Sequence, residues 1–453
     1  MKKNDFCNLT ITGLTSEGNG VGRTEGGMAV FVPQTAVGDV ISCKIVKVNK
    51  SYAFGITDKI IEPSKDRIGD SCGIFKKCGG CIFRHISYEA ELAAKEQTVR
   101  DAFRRLGGLD IDFEPILGCE TVERYRNKAQ YPFAKDETGR TVCGFFAARS
   151  HRVIPCKDCL LQPEIFGEIT DEICRFSDEK RLSVYDEKTG EGLLRHIYLR
   201  RGYHSGEIMV CIVVTRADKK IFSPLADMLC GKFPEIKSVA LNLNNNRTNV
   251  ILGEKCVTLS GGNTIEDIMC GREIKISPLS FYQVNTAQAE RLYKIAADYA
   301  ELTGEETLLD LYCGAGTVGL SMADRAKRLI GGEIVPEAVE NARKNASSNN
   351  IENAEFICGD AGEIAAILVN KGIHPDVIVT DPPRKGCDGL ALSSIVKMSP
   401  SRVIMISCNP ATAARDCSYL SQNGYKIVKS RAVDMFPRTG HVECIVLLSK
   451  VQN

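Results

Sequence analysis

The chain has 453 residues, of which 43% are hydrophobic and 25% are charged, and its formal net charge is +1 at pH 7. This length and composition predict about two to four globular domains and exclude collagen-like, low-complexity and largely disordered chains. The longest apolar run has about seven residues (208–214), whereas a membrane-spanning helix needs roughly 20. We therefore expect no membrane-spanning segment.

The oxidation state of the 20 cysteines depends on the cellular compartment of the protein. The N-terminal Met-Lys-Lys-Asn-Asp is not followed by an apolar stretch, so we predict no secretory signal peptide. In a reducing cytoplasm most thiols are expected to stay unoxidised, as small buried apolar side chains. Only cysteines at close spacing or beside unusual neighbours then require a chemical role.

Residues 1–65 predict a small β domain. Alternating apolar and polar residues form four short runs separated by glycine-rich turns: 8–12, 28–32, 40–48 and 52–61. Short strands of this kind favour a closed barrel over an open sheet.

Residues 66–275 predict an α+β central domain. A helix is expected over 88–106, because apolar residues recur there at helical spacing before Gly107 and Gly108 end it. The charged face of this helix is predicted to carry Glu89, Glu91, Lys95 and Glu96. From about residue 115 onward, strands and helices mix without a regular repeat.

Residues 276–453 predict an α/β domain with a doubly wound, Rossmann-like parallel sheet, because apolar strands alternate with helices. The predicted parallel strands are 307–312, 328–334, 354–358, 377–380 and 402–407. Two further strands, 425–433 and 442–448, predict an antiparallel hairpin at the sheet edge. This ending is typical of the methyltransferase variant of the fold.

A glycine-rich loop follows the first of these parallel strands. Gly314, Gly316 and Gly319 form a G-x-G-x-x-G pattern, and Glu333 lies 19 residues beyond Gly314. Glycines there allow a tight turn and close approach to a cofactor, and an acidic residue at this distance can hold ribose hydroxyls. The motif alone leaves nicotinamide, flavin and S-adenosylmethionine as candidates.

Two motifs follow the fourth and fifth strands at the same edge of the sheet. Residues 381–384 (Asp-Pro-Pro-Arg) place a carboxylate where open α/β sheets bind their ligands. The fourth residue is Arg rather than an aromatic side chain, which argues against an exocyclic amine as the target. Residues 407–410 (Ser-Cys-Asn-Pro) place Cys408 at the start of a helix, whose dipole favours a thiolate.

Cys408 and Glu443 together indicate covalent catalysis on a pyrimidine. Glu443 opens the last strand within Gly-His-Val-Glu. A thiolate that adds to C6 makes C5 nucleophilic, so that C5 can accept a methyl group. A base then removes the C5 proton, and the thiolate leaves.

A cysteine-rich segment has the spacing of a metal site. Cys72, Cys78 and Cys81 lie within ten residues and surround two glycines, and Cys156 and Cys159 follow about 75 residues later. Such thiols can converge on an iron–sulfur cluster or on zinc. The five residues between Cys72 and Cys78 exceed the spacing of the usual zinc pair.

Residues 121–152 carry seven Lys or Arg and only three acidic residues. Phosphate neutralisation combined with aromatic stacking is how single-stranded RNA is usually held. A solvated charged face over buried aromatic side chains explains the pattern equally well. The interleaved aromatic residues are Tyr125, Tyr131, Phe133, Phe145 and Phe146.

In this combination and order, the motifs resemble the RNA 5-methyluridine methyltransferase family over nearly the whole chain. The resemblance implies that residues 1–65 form a TRAM domain, a small RNA-binding barrel. It also implies a [4Fe-4S] cluster bound by Cys72, Cys78, Cys81 and Cys159. Cys159 is preferred to Cys156 because Cys159-Leu-Leu-Gln fits the family pattern.

The same resemblance implies roles within residues 276–453. Residues 281–285 (Phe-Tyr-Gln-Val-Asn) match the motif that opens the family's methyltransferase domain. Cys408 matches the family's nucleophile and Glu443 its proton-abstracting base. The residues expected to line the S-adenosylmethionine pocket are Gln283, Tyr312, Glu333 and Asp381.

These features predict an S-adenosylmethionine-dependent enzyme that makes 5-methyluridine in 23S ribosomal RNA, because a TRAM domain with a cluster is similar to the ribosomal branch of the family. No obligate protein partner is predicted. A tRNA uracil-C5 methyltransferase is the alternative within the family. A flavin- or nicotinamide-dependent oxidoreductase would leave Cys408 without a role, and a non-catalytic RNA-binding protein would leave both Cys408 and Glu443 without one.

Overall fold

The computed structural model describes residues 1–69 and 71–451. The chain begins with a closed five-stranded barrel whose strands pair in the order β1-β2-β3-β5-β4. Leu9, Ile11, Val30 and Ile41 are buried inside it, which confirms the barrel expected from the alternating pattern. The strands are β1 (Phe6–Leu14), β2 (Asn19–Arg23), β3 (Ala29–Pro33), β4 (Val40–Val48) and β5 (Tyr52–Glu62).

The predicted helix after the cysteine-rich segment is present as α1 (Tyr88–Ala102), which continues into a π-helical turn, Phe103–Gly107. The Ser87 side chain caps α1 by accepting a hydrogen bond from the Ala90 amide. The expected charged face is wrong at two positions, because the Glu91 and Lys95 side chains are 0% and 2% exposed. They face the C-terminal part of the chain instead of solvent.

The central region contains a seven-stranded sheet. Strand β6 (Glu114–Leu117) lies in this region of the chain but joins another sheet. The other elements of the region are β7 (Lys128–Lys135), β8 (Thr141–Phe146), β9 (Val153–Pro155), α2 (Glu164–Glu179), β10 (Leu194–Arg201), β11 (Ile208–Val214), α3 (Lys219–Lys232), β12 (Ile236–Leu243) and β13 (Lys255–Gly261). The strand order is β13-β12-β11-β10-β7-β8-β9. Helices α2 and α3 cover one face through Phe166, Ile169 and Leu225. Tyr198 on the opposite face packs into the core of the C-terminal domain.

The C-terminal domain is a doubly wound α/β unit, as expected. The hairpin β14 (Ile265–Met269) and β15 (Arg272–Ile276) precedes it. Its elements are α4 (Thr286–Ala300), β16 (Thr307–Leu311), α5 (Thr317–Met322), β17 (Arg328–Glu333), α6 (Pro336–Ser348), β18 (Ala354–Cys358), α7 (Ala361–Asn370), β19 (Val377–Thr380), α8 (Gly389–Met398), β20 (Arg402–Ser407), α9 (Pro410–Gln422), β21 (Tyr425–Val433) and β22 (Glu443–Lys450). Across residues 1–69 and 71–451, none of the helices combines the length and apolar character required to cross a bilayer.

The large sheet has the order β18-β17-β16-β19-β20-β22-β21-β6. Strands β16 to β20 are parallel, and β22 runs antiparallel to β20. The hairpin of β21 and β22 is present, but the prediction that it forms the edge is wrong, because β6 pairs in parallel with β21. The parallel arrangement brings the carboxyl ends of β16, β17, β19 and β20 to one side of the sheet, where the sequence motifs lie.

Candidate active site

The glycine-rich loop connects β16 to α5 and is tied to Glu333 at the end of β17. The Gly314 amide donates a hydrogen bond of 3.0 Å to one oxygen of the Glu333 carboxylate, and the Val335 amide donates one of 2.9 Å to the other. Tyr312 immediately precedes the loop, with φ +68°. The acidic residue predicted from the motif spacing therefore lies beside the loop.

At two positions of the loop, glycine is required for different structural reasons. Gly316 caps α5 with φ +83°, a conformation that glycine adopts without strain. A Cβ atom on Gly319 would lie 2.8 Å from Leu329 and 2.9 Å from the Asp310 carboxylate, so only glycine lets α5 pack this closely on the sheet. The Gly319 amide donates to Asp310 at 2.8 Å. Burial raises the pKa of Asp310 to about 8.

Gln283 lies on the segment that leads into α4 and is 8% exposed. Asn127 holds this segment: its side-chain amide donates to the Gln283 carbonyl at 2.8 Å, and its backbone amide donates to the Val284 carbonyl at 2.8 Å. Burial raises the pKa of Tyr293, and the Asp381 and Glu443 charges add to this effect, while a hydrogen bond with the Gln283 side chain opposes it. Gln283 and the two carboxylates therefore all lie near the Tyr293 hydroxyl.

Asp381, Cys408 and Glu443 come together at the ends of β19, β20 and β22. Burial raises the pKa of Asp381. Burial, together with the charge of Asp381, raises the pKa of Glu443, which is 4% exposed. The pKa of Cys408 is also raised, first by burial and then by the Glu443 and Asp381 charges. These strand ends therefore bring together a thiol and two carboxylates whose charges raise the pKa of the thiol.

The dipole of α9 does not produce the lowered thiol pKa that the sequence led us to expect. Cys408 lies just before α9, but burial and the carboxylates outweigh the helix terminus. Arg384 opposes them, since its charge lowers the pKa of Cys408. The Asn409 side chain fixes this loop by donating to the Arg384 carbonyl at 2.8 Å, and the Arg384 guanidinium lies 3.5 Å from His441 Nε2.

The β21–β22 loop (residues 434–442) leads directly into Glu443 and is anchored by buried ion pairs. Lys95 Nζ on α1 lies 2.7 Å from both Glu91 Oε1 and Asp434 Oδ1. The Arg438 amide donates to Glu91 Oε1 at 2.6 Å. The Lys95 side chain is 2% exposed, and those of Glu91 and Asp434 are 0% exposed.

The segment after Cys81 also anchors this loop. The amides of Ile82 and Phe83 donate to the Arg438 carbonyl at 2.8 and 3.2 Å. Sequence reasoning missed this arrangement, because Glu91 and Lys95 at i and i+4 have the spacing of an ordinary solvent-exposed pair. Glu443 is consequently held by elements that lie more than 300 residues earlier in the chain.

Five cysteines of the predicted metal site line one cavity of about 80 Å³. They are Cys72, Cys78, Cys81, Cys156 and Cys159. Arg84 and Arg126 also contribute to its wall. Within the described parts of the chain, no three His, Cys, Asp or Glu side chains are arranged to hold a metal ion. Because the five thiols line the same cavity, they are neighbours around a common space. Their soft sulfur donors suit iron or zinc.

The basic segment 121–152 differs from the expected stacking surface. Tyr125, Tyr131 and Phe133 are at most 5% exposed and belong to the core. Arg124 and Lys135 pair with Asp158 and Asp178. For most of the segment, the structure thus favours the second interpretation, a charged face over buried aromatic side chains, over a surface for base stacking.

Comparisons with known proteins agree with this fold. Residues 269–451 match the family described as tRNA (uracil-5-)-methyltransferase, and residues 5–57 match the TRAM domain. An RNA methyltransferase of Clostridium tetani is 43% identical over 99% of this chain and 97% of the relative. One of Bacillus cereus is 42% identical over 100% of this chain and 98% of the relative.

A solved structure extends the comparison. The tRNA (uracil-54, C5)-methyltransferase of Pyrococcus abyssi, in complex with S-adenosyl-L-homocysteine, is 26% identical with a TM-score of 0.78, over 97% of this chain and 99% of that one.

The fold and the family match define an S-adenosylmethionine-dependent methyltransferase that acts on RNA. The chain belongs to the RNA uracil-5-methyltransferase family and carries an N-terminal TRAM domain. Family membership thus selects S-adenosylmethionine among the three cofactors that the glycine-rich loop alone left open.

Proposed function

We propose that the protein methylates C5 of uridine in 23S ribosomal RNA in the cytoplasm, through a covalent bond between Cys408 and C6. The observation that carries this proposal is that Asp381, Cys408 and Glu443 lie at neighbouring strand ends on one edge of the sheet, where the charges of both carboxylates act on the thiol. A nucleophile and a base at the same edge as the cofactor loop are what uracil C5 requires, because this carbon is too weak a nucleophile without activation.

Each residue has a defined part in the proposed chemistry. The Cys408 thiolate adds to C6, and the displaced electron pair makes C5 nucleophilic. S-Adenosylmethionine supplies the methyl group that C5 accepts. Glu443 then removes the C5 proton, the C5–C6 double bond reforms, and the thiolate of Cys408 is expelled. Arg384 offsets the negative charge around the thiol.

We assign cofactor binding to Gln283, Tyr312, Glu333 and Asp381. Their support is their position: Glu333 is hydrogen-bonded to the glycine-rich loop, and Gln283 and Asp381 both lie near the Tyr293 hydroxyl. S-Adenosylmethionine carries a sulfonium and an ammonium group, so carboxylates in its pocket compensate positive charge. We further propose three functional parts: a TRAM domain (1–65), a central RNA-binding and cluster-binding domain (66–275) and a methyltransferase domain (276–453).

Transcripts that contain 5-fluorouridine test both the mechanism and the RNA class. Fluorine at C5 cannot leave as a proton does, so the adduct with Cys408 should persist. We expect a denaturation-resistant protein–RNA species with 23S ribosomal RNA and S-adenosylmethionine, and peptide mapping should place the bond at residue 408. An adduct with tRNA alone would favour the tRNA alternative, and attachment at another side chain would overturn the mechanism.

We also propose that Cys72, Cys78, Cys81 and Cys159 hold a [4Fe-4S] cluster. The support is that these thiols line one cavity and that the charges of Cys72 and Cys159 both act on Cys78. C5 methylation requires no electron transfer, so the cluster serves to fix the cysteine segment. That segment contacts the β21–β22 loop through Ile82 and Phe83.

Iron analysis of two cysteine variants tests the ligand set. Wild-type protein purified without oxygen should contain four iron atoms per chain, and Cys156→Ser should keep them because Cys156 is not a proposed ligand. Cys159→Ser should lose most of the iron and its visible absorbance. Equal iron contents of the two variants, or zinc in place of iron in the wild type, would contradict the assignment.

A further inference from the structure

A group of basic side chains lies where the central sheet faces the methyltransferase domain. Strands β7 and β10 are antiparallel neighbours, and their register places Lys128 directly opposite Arg200. Like charges at directly opposed positions of a sheet repel each other. Arg126, two residues before Lys128, adds a third positive charge to the group.

Lys128 and Arg200 have no carboxylate partner among the residues that the structure describes, and neither has Arg126, which also lines the cavity of the five cysteines. Burial lowers the pKa of Lys128 to about 8, and the positive charges of Arg200 and Arg126 add to this effect. The contrast within β7 is sharp, since Lys135 at its other end is 3.0 Å from Asp178.

A positive charge without a counter-charge is energetically unfavourable in a buried position, and the three side chains of this group are partly or fully buried. Arg200 is 1% exposed. One of its terminal nitrogens donates to the Ser280 carbonyl at 3.1 Å. The Nε atoms of Arg200 and Arg126 are buried without any hydrogen-bond partner in the described structure. Buried cations of this kind normally have an anion beside them, because an unpaired buried charge is strongly unfavourable.

The basic group borders the proposed catalytic cleft. Asn127, between Arg126 and Lys128, is hydrogen-bonded to the segment that carries Gln283. The Arg126 guanidinium lies 6.0 Å from the centre of the Phe436 ring, on the loop that leads to Glu443. The basic group therefore lies between the segment that carries Gln283 and the loop that leads to Glu443.

We propose that Lys128 and Arg126, with Arg200 beneath them, form a binding site for one phosphodiester group of the RNA strand next to the target nucleotide. Lys128 is half-buried and donates no hydrogen bond to any described residue, so its ammonium group is available to a phosphate oxygen. Arg200 is too deeply buried to serve as the main contact and raises the local positive potential instead. This site rests on the proposed function, because it presumes an RNA strand in the cleft.

The test compares Lys128→Met with Lys135→Met, a control on the same strand whose lysine already has an acidic partner. Binding of single-stranded oligouridine is measured between about 50 and 200 mM salt. Lys128→Met should bind roughly tenfold more weakly at low salt and lower the slope of log K against log salt by about 0.7, the value of one phosphate contact on a single strand. Lys135→Met should change neither quantity.

Two further measurements separate RNA binding from a structural role. Thermal unfolding of the RNA-free Lys128→Met protein should occur at an equal or higher temperature than in the wild type, because a repulsive pair is removed. A structural lysine would lower that temperature. Lys128→Arg should restore most of the affinity, since the positive charge is retained.

The outcomes distinguish this site from the proposed function. An unchanged salt slope for Lys128→Met, alongside a wild-type protein that forms the fluorouridine adduct, would overturn the phosphate site alone. A wild-type protein that binds oligouridine through Lys128 but never methylates uridine would support the site and overturn the proposed reaction.

Discussion

Replacing Cys408 with alanine should reduce methyl transfer to RNA by at least about 1,000-fold, because no other group can activate uracil C5 by adding to C6. Binding of S-adenosylmethionine should survive, since the glycine-rich loop and Glu333 do not depend on the thiol. The measurements are transfer of a labelled methyl group under single-turnover conditions and calorimetric titration with the cofactor.

Cys358→Ala is the matched control for this variant. Cys358 ends β18 beside Glu333, but it is exposed and is not one of the residues that we assign to catalysis or cofactor binding. It should therefore retain wild-type activity. A Cys408→Ala protein that methylates uridine at a normal rate would remove the basis of the covalent mechanism.

Replacing Glu443 with glutamine should stop the reaction after methyl transfer, at the removal of the C5 proton. Addition of Cys408 and methyl transfer leave the C5 proton in place, and glutamine cannot remove it. A methylated covalent protein–RNA species should accumulate on ordinary, unfluorinated RNA, and turnover should fall by about 100- to 10,000-fold. Gel separation under denaturing conditions and mass analysis of the linked peptide would detect it.

The pH dependence of the wild-type protein should reflect the same carboxyl group. A raised pKa keeps Glu443 protonated, and therefore unable to accept a proton, well above the usual carboxyl value of about 4.3. Turnover should thus rise with pH through the neutral range, and the raised pKa of Cys408 acts in the same direction. Glu340→Gln, which changes an exposed glutamate, is the matched control for Glu443→Gln and should have wild-type turnover. Rapid product release by Glu443→Gln without any covalent adduct would contradict the assignment of Glu443 as the base.

Local sequence patterns were sufficient for the architecture. The barrel followed from alternating residues and the parallel sheet from strand–helix alternation, since both depend on short-range periodicity. Strand β6 was not predicted because Glu-Pro-Ile-Leu has neither the length nor the pattern of a strand. It exists only because β21, over 300 residues later, offers a free edge.

The site was only partly predictable for the same reason. The spacing from Gly314 to Glu333 was informative because it reflects one βαβ unit, and Glu333 does lie beside the glycine-rich loop. The helix start at Cys408 suggested a lowered pKa, whereas the carboxylates that raise it come from distant strands. Likewise, no local pattern distinguishes the buried Lys95 from a surface lysine. Its partner Asp434 lies 339 residues away.

The ion pairs between α1 and the β21–β22 loop have a consequence for biosynthesis. A ribosome releases α1 long before it makes the loop, so Glu91 and Lys95 first meet Asp434 and Arg438 when almost the entire polypeptide has been translated. Until then the helix lacks half of its buried counter-charges, and Glu443 does not yet exist. We therefore expect a nascent or truncated chain that lacks the last few dozen residues to be unable to modify RNA.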